Sequence, residues 1–257
     1  MKIDKVGQGR PLVYLHDWGF TSQAWNHQVD FFRARHCNIL VDYNADRLHP
    51  GASHETLLDD LSTELHEALL SQPPAVLMAH GFGSFLAFEL IERGLPVEAL
   101  VLFGGLVRFT NDNDYLSGIA RERVAGMRKA LHENPRKMLL GFYQFVFSGQ
   151  DETPPAELTR AMPVNSLDFL KMSFDAMISH DYRDMLGAFG CRALVVQGED
   201  DKVTPLWQGE LIRKLMRNAS LELCKSTGHA PFITRYASVN RRVAQFLEVR
   251  EASASAS

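Results

Sequence analysis

Short apolar runs alternate with amphipathic stretches along the first part of the chain. Apolar runs occupy residues 11–16, 37–42, 75–80 and 98–103, and glycine, asparagine or aspartate follows each within a few positions. A continuous apolar run of this length is typical of a strand that is covered on both faces. We therefore predict a parallel sheet covered by helices.

Two amphipathic segments lie between these strands. Leucine recurs every four residues from Leu57 to Leu69, which places the leucines on one face of a helix that Ser53 can cap. A second helix is predicted over residues 85–93, directly after the strand at 75–80. The alternation then stops, and residues 108–187 hold helical patterns interrupted by prolines. The interrupting residues are Pro135, Pro154, Pro155 and Pro163.

Strand patterns return near the end of the chain. Two strands are predicted at residues 193–198 and 221–224, with helices at 205–216 and 238–249. The fold class is therefore α/β, with a mostly parallel central sheet flanked by helices and an inserted helical cap. The predicted units are a core (residues 1–107 and 188–250), a cap (108–187) and a small low-complexity end (251–257), expected to be a disordered tail or a cloning remnant.

Composition excludes several classes of protein. The 257 residues are 46% hydrophobic and 23% charged, as in ordinary globular proteins, so disorder and coiled coils are disfavoured. The net charge of −4 disfavours nucleic-acid binding. No glycine-rich phosphate loop, dinucleotide-binding motif or metal-binding histidine pair is present, so we expect no cofactor and no metal.

The cysteines and the apolar runs indicate the cellular compartment in which the protein is expected. Cys37, Cys191 and Cys224 are odd in number and widely spaced, which favours free thiols in a reducing compartment. No apolar run approaches the ~20 residues of a membrane helix, and the first residues lack the apolar segment of a signal peptide. We expect a cytoplasmic, monomeric protein that contacts no membrane.

Three predicted strand ends carry residues suited to chemistry, and ligands of open α/β sheets bind at the carboxyl ends of strands. Residues 79–83 (Ala-His-Gly-Phe-Gly) have the form of a nucleophile elbow, small-x-nucleophile-x-Gly, with Gly81 at the central position. A carboxylate follows a late strand, at Asp200 or Asp201, and His229 precedes the last helix. The order elbow, acid, histidine is that of a hydrolase triad.

With these motifs, and with residues 16–19 (His-Asp-Trp-Gly) after the first core strand, the chain resembles the α/β-hydrolase superfamily over nearly all of its length. Within it, the chain is most similar to the pimeloyl-acyl-carrier-protein methyl ester esterases of biotin synthesis. Residues 16–19 are similar to that family's His-Gly-Trp-Gly. Residues 228–233 (Gly-His-Ala-Pro-Phe-Ile) are similar to its Ala-His-Ala-Pro-Phe-Ile.

The resemblance implies a carboxylesterase whose substrate is a small acyl ester, carried on an acyl carrier protein. It assigns position 81 to the nucleophile and His229 to the general base and acid. Asp201 is favoured over Asp200 as the residue that orients His229. The backbone amides of Trp18 and Phe82 would stabilise the oxyanion. A buried structural histidine is the alternative for His229, and His80 is expected to be structural.

Two residues depart from the family pattern. Asp17 replaces a glycine, which could alter the oxyanion loop, and Gly81 replaces the serine nucleophile, by nature or by engineering. Ser84 is expected to pack in the fold or cap the following helix rather than to replace the missing serine as nucleophile. Loss of a triad nucleophile costs on the order of 10⁶ in kcat, so we predict a chain inactive in covalent ester hydrolysis. The alternatives are a non-catalytic ligand-binding protein and a His-Asp enzyme that needs neither nucleophile nor cofactor.

The cap is expected to select the substrate. Trp18, Phe82, Phe142, Tyr143 and Val146 are candidates to line an acyl pocket, although core packing explains these aromatic and apolar residues equally well. Residues 121–137 hold six basic and two acidic side chains, which could dock an acidic carrier or form a solvated helix face. Gly141 stands where the resembled family has an arginine.

Overall fold

Seven strands form one sheet in the computed structural model, which describes residues 1–43, 53–116, 118–147 and 167–254. In chain order the strands are β1 (Lys2–Val6), β2 (Arg10–Leu15), β3 (His36–Asp42), β4 (Ala75–His80), β5 (Val97–Phe103), β6 (Arg192–Gly198) and β7 (Ala219–Cys224). Their order across the sheet is β1-β3-β2-β4-β5-β6-β7. All neighbours are parallel except β1, which pairs antiparallel with β3. The predicted α/β fold class is confirmed.

The six parallel strands lie at the six predicted positions, with ends that differ by at most two residues. β4 is buried at every position because it lies in the middle of the sheet with helices on both faces. β1 was not predicted. It is a polar edge strand, with mostly exposed side chains, so it carries no apolar signal.

The helices are α1 (Asn26–Phe32), α2 (Leu57–Leu69), α3 (Gly83–Glu92), α4 (Arg121–Glu133), α5 (Pro135–Val146), α6 (Leu167–Ser179), α7 (Leu206–Leu215), α8 (Pro231–Thr234) and α9 (Tyr236–Ala254). The four predicted outside the cap are α2, α3, α7 and α9. The short α1 and α8 were not predicted. None of the described helices combines the length and the apolar character needed to cross a bilayer.

Helices α4, α5 and α6 lie between β5 and β6, in the region predicted to be helical. Pro135 begins α5 rather than interrupting a helix, and the Asn134 side chain caps α5 by accepting a hydrogen bond from the Lys137 amide at 3.0 Å. Pro154, Pro155 and Pro163 lie outside the described residues. Helix α9 continues to Ala254 and so includes part of residues 251–257, which the sequence predicted to be a disordered tail or a cloning remnant. Residues 255–257 are not described.

Candidate active site

The turn between β4 and α3 holds Gly81 in a left-handed conformation. Its φ is +50°, a value that residues with a side chain rarely adopt. The Gly81 amide donates to the carbonyl oxygen of Phe103 at 3.3 Å, and the Ser84 amide donates to the Gly81 carbonyl oxygen at 2.9 Å. The predicted elbow geometry is therefore present, with no side chain at its centre.

His229 and Asp201 are brought together at the carboxyl ends of the central strands. His229 Nδ1–H donates to Asp201 Oδ2 at 2.8 Å, and both side chains are buried. Asp201 Oδ1 also accepts hydrogen bonds from the Val203 and Thr204 amides at 2.8 and 2.9 Å, which fix the carboxylate. Asp200 is exposed. The geometry thus pairs His229 with Asp201 and not with its neighbour.

The loop that carries His229 is anchored by the residues around it. The His229 amide donates to the Val146 carbonyl oxygen at 3.0 Å. Phe232, three residues further on, stacks on Trp25 with ring centroids 4.3 Å apart. A Cβ on Gly104 would collide with the imidazole, so glycine at that position lets β5 approach His229 closely.

Asp17 occupies the centre of the site, which the sequence did not indicate. The Phe82 amide donates to Asp17 Oδ1 at 2.6 Å, and Asp17 Oδ2 lies 3.2 Å from His229 Nε2. A Cβ on Gly81 would overlap the Asp17 carboxylate. The two departures from the family pattern are therefore complementary, because the side chain missing at 81 leaves the space that the added side chain at 17 fills. The joint occurrence of the two departures was the one feature of the sequence that could have indicated the role of Asp17.

The charges of the site follow from these contacts. Burial alone would lower the pKa of His229, but the Asp201 and Asp17 carboxylates outweigh burial and raise that pKa well above its ordinary value. His229 is therefore an imidazolium at neutral pH. Burial and the neighbouring His229 charge lower the pKa of His80 to about 3, so His80 is neutral.

Asp17 is ionised. Burial opposes its ionisation, but the hydrogen bond and positive charge of His229, together with the Phe82 amide, hold the pKa of Asp17 below its ordinary value. Since His80 is neutral, the positive charge beside Asp17 is that of His229. The site is a buried chain of carboxylate, imidazolium and carboxylate, in which His229 has no free lone pair for general-base catalysis.

Three side chains of this site could serve as metal ligands. Asp17, His80 and His229 offer one donor atom each, all within 4.8 Å of one another. His229 already donates one proton to each carboxylate, so a metal ion would have to displace the proton on Nε2. The imidazolium balances one carboxylate charge, and the observed hydrogen bonds account for the arrangement without an ion.

A cavity of about 560 Å³ opens beside Asp17, Gly81 and His229. Its walls are largely apolar, with Leu106, Phe109, Met127, Met138, Phe174 and Met177 among the lining residues. Arg123, Lys137 and Lys202 also line it, together with Glu133. The cavity therefore suits a ligand with an apolar body, one end of which meets the Asp17 carboxylate.

The predicted pocket residues divide into two groups. Trp18 and Phe142 line the cavity, and their rings contact each other at a centroid distance of 5.2 Å. Phe82, Tyr143 and Val146 are buried but do not line it. Tyr143 points toward the loop after β2, where its hydroxyl donates to the Gly19 carbonyl oxygen. These three positions pack the core.

The remaining candidates have structural contacts. The Trp18 indole N–H donates to the Leu170 carbonyl oxygen at 3.0 Å, which fixes the ring at the cavity wall. Ser84 is fully buried, its hydroxyl oxygen accepts from the Leu106 amide at 3.4 Å, and it does not line the cavity. His80 Nε2 lies 3.2 Å from the His229 carbonyl oxygen. Gly141 forms part of the cavity wall.

Solved structures of similar fold include an esterase from Exiguobacterium antarcticum. It has a TM-score of 0.86 and 20% identity, with 96% of this chain and 94% of that chain covered. A bromoperoxidase from Bacillus anthracis matches with a TM-score of 0.86, 19% identity and the same coverage. At these identities, the two matches establish the fold alone.

Sequence relatives point the same way. The pimeloyl-[acyl-carrier protein] methyl ester esterase of Legionella pneumophila (strain Corby) is 26% identical over 238 residues, covering 90% of this chain and 92% of the relative. The protein of the same name from Chromobacterium violaceum is 23% identical over 255 residues, covering 96% and 98%. Residues 12–242 match the Alpha/beta hydrolase family. Because that match spans the sheet, the elbow and the histidine loop, the chain belongs to the alpha/beta hydrolase family.

Proposed function

We propose that this chain is a carboxylic ester hydrolase by descent that binds an acyl ester in the cavity beside Gly81 but does not cleave it through a serine-type acyl-enzyme. The observation that carries the proposal is the occupation of the elbow by Asp17. Its carboxylate fills the volume of the missing side chain and binds the Phe82 amide.

The serine route is blocked at three points. Position 81 offers no hydroxyl, and the buried Ser84 does not line the cavity. The Phe82 amide, which would stabilise an oxyanion, already binds Asp17. His229 is protonated and cannot accept a proton from a nucleophile. We expect esterase activity lower by on the order of 10⁶ than in a serine form.

The ligand class follows from the cavity and the relatives. The apolar walls suit an acyl chain, and the relatives are named for a pimeloyl-[acyl-carrier protein] methyl ester. We propose that the ligand is an ester of this type, covered by the cap at residues 108–187, which is carried by the core at 1–107 and 188–250. We further propose that the chain acts as a monomer in the cytoplasm.

Several of the basic cap residues that could dock a carrier protein are paired with acidic side chains. Arg121, Arg128 and Lys129 form ion pairs with Asp112, Asp175 and Glu133 at 2.9, 2.7 and 3.7 Å. These pairs offset part of the basic excess at residues 121–137. Arg123 and Lys137 line the cavity, so a carrier would meet positive charge chiefly at the cavity itself.

The alternative is a non-catalytic ligand-binding protein. It is favoured by the same observation, because a carboxylate that binds both the Phe82 amide and His229 leaves neither group free for catalysis. The alternative predicts that ligand affinity does not depend on His229.

The deciding experiment reverses both departures together. Gly81→Ser alone would place Cβ in the Asp17 carboxylate, so the test variant is Asp17→Gly with Gly81→Ser. We expect hydrolysis of p-nitrophenyl hexanoate to rise at least ~10³-fold over the unmodified chain and to be lost on adding His229→Ala. Comparing the rates at which this variant hydrolyses dimethyl pimelate and shorter methyl esters then tests the preference for acyl chain length. A folded double variant that binds ester without hydrolysing it would refute the hydrolase assignment and favour the binding protein.

A further inference from the structure

We propose that Asp17 is a nucleophile, whose carboxylate displaces a leaving group from a saturated carbon of an apolar alkyl substrate. The substrate class is a primary alkyl halide or an equivalent carbon with an anionic leaving group. This inference goes beyond the proposed function and does not depend on it.

The first argument is position. The carboxylate occupies the place where the elbow projects its side chain, at the carboxyl end of β4. It is only 3% exposed, yet it lines the cavity together with Gly81 and His229. A substrate in the cavity can therefore contact the Asp17 carboxylate.

The second argument is orientation. Oδ1 is held by the Phe82 amide at 2.6 Å, and Oδ2 by His229 Nε2 at 3.2 Å. A carboxylate has about four lone-pair sites, so each oxygen retains one for another contact. The group is ionised, fixed and shielded from bulk water, three properties that raise the reactivity of a weak nucleophile.

The third argument concerns the kind of carbon that Asp17 can attack. Attack on a carbonyl creates an oxyanion, which needs an amide donor, but the Phe82 amide is already bound to the attacking group. Displacement at a saturated carbon creates no oxyanion. Its negative charge develops on the leaving group, in a cavity that Arg123, Lys137 and Lys202 also line.

The first step is balanced as follows. Asp17 Oδ2 forms a bond to the substrate carbon, the bond from that carbon to the halogen breaks, and the halide leaves with the electron pair. The product is an alkyl ester of Asp17. Its carbonyl oxygen is Oδ1, which remains bound to the Phe82 amide.

The second step uses His229. His229 Nε2 lies 3.2 Å from the Asp17 oxygen that becomes alkylated. Alkylation removes the carboxylate charge that pairs with the imidazolium, so the Nε2 proton passes to solvent water and Nε2 becomes a base. Water then attacks Cγ of the ester and gives a proton to His229, which Asp201 orients, while the Phe82 amide stabilises the oxyanion on Oδ1. The tetrahedral intermediate then expels the alkoxide, which takes the proton of the new carboxyl hydroxyl and leaves as the alcohol, so the Asp17 carboxylate is restored beside protonated His229. Overall, alkyl halide and water give alcohol, halide and a proton.

The test uses hexyl bromide and the full chain. With the unmodified protein we expect release of bromide and hexanol, and in heavy-oxygen water the label enters the Asp17 carboxylate during turnover. With His229→Gln, which lacks the base for the second step, we expect a hexyl adduct that peptide mass spectrometry maps to Asp17.

The matched controls are Asp17→Asn, which keeps a carbonyl oxygen for the Phe82 amide, and Asp200→Asn on the exposed neighbour of Asp201. Asp17→Asn should reduce bromide release to the uncatalysed rate, and Asp200→Asn should leave it unchanged. The proposal is overturned by an adduct on another residue, by bromide release that survives Asp17→Asn, or by absence of label at Asp17 in the unmodified protein. The label result decides alone if His229→Gln does not fold.

Discussion

The carboxylate of Asp17 lies in the volume that a side chain on residue 81 would occupy, and the glycine at 81 is what makes room for it. A buried carboxylate is costly unless it is paired and hydrogen-bonded. Here the Phe82 amide and the His229 imidazolium supply both kinds of partner. We therefore expect residues 17 and 81 to be coupled in stability and in chemistry.

This coupling predicts non-additive stability. Gly81→Ser alone should destabilise the fold by about 1–3 kcal/mol, because Cβ overlaps the carboxylate and a left-handed φ strains serine. In the Asp17→Gly background the overlap is relieved, so the same change should cost less. Urea unfolding of the four members of the double-mutant cycle measures the coupling energy. Additive free energies would show that the two sites are independent.

The protonation of His229 should depend on Asp17. Asp17→Asn removes one of the two carboxylates that raise the pKa of His229, so that pKa should fall. NMR titration of the imidazole resonances measures the change. Asp200→Asn serves as the control, since Asp200 is exposed and makes no contact with His229 that the structure records. An unchanged His229 titration in Asp17→Asn would contradict the ion pair.

The stability of the fold at alkaline pH should also depend on the ion pair between Asp17 and His229. The pKa of His229 is raised in the folded chain, so its contribution is fully present below the unfolded pKa of about 6.5 and is lost as pH rises through the folded pKa. Asp17→Asn should shrink this alkaline loss. Urea midpoints at successive pH values from neutral upward test it, and a variant with the alkaline profile of the unmodified chain would be evidence against the assignment.

Asp201 and Asp200 should differ sharply on substitution. Asp201→Asn turns one of its oxygens into a donor facing the His229, Thr204 and Gln197 hydrogen-bond donors, so we expect a loss of about 2–4 kcal/mol in unfolding free energy. Asp200→Asn should change it by less than about 0.5 kcal/mol. Equal effects at the two positions would refute the pairing of His229 with Asp201.

The two neighbouring aromatic residues of α5 should separate binding from folding. Phe142→Ala enlarges the cavity and should weaken binding of hexanoate esters, measured by calorimetry. Tyr143→Phe removes the hydrogen bond to the Gly19 carbonyl oxygen and should cost about 1 kcal/mol of stability without changing ligand affinity. The reverse pattern would mean that the cavity lies on the other face of α5.

The local pattern of the chain determined most of the architecture. Apolar runs identified the central parallel strands because burial on both faces leaves few polar positions there. The small residues around Gly81 identified the elbow because only they fit a tight strand-to-helix turn. Strand β1 escaped detection because an edge strand obtains its hydrogen bonds from β3 whatever its side chains are. Of the neighbouring aromatic residues on α5, only the packed helix showed that Phe142 faces the cavity and Tyr143 the core.

The site divides in the same way. The elbow, Asp201 and His229 could be located from sequence because each lies beside its own strand end, where local spacing is informative. Only the tertiary structure revealed the role of Asp17, since its partners Phe82 and His229 are distant in sequence and meet it where parallel strands end side by side. The charge of His229 was equally hidden, because a pKa depends on burial and on the distances to both carboxylates, quantities that exist only once the chain has folded.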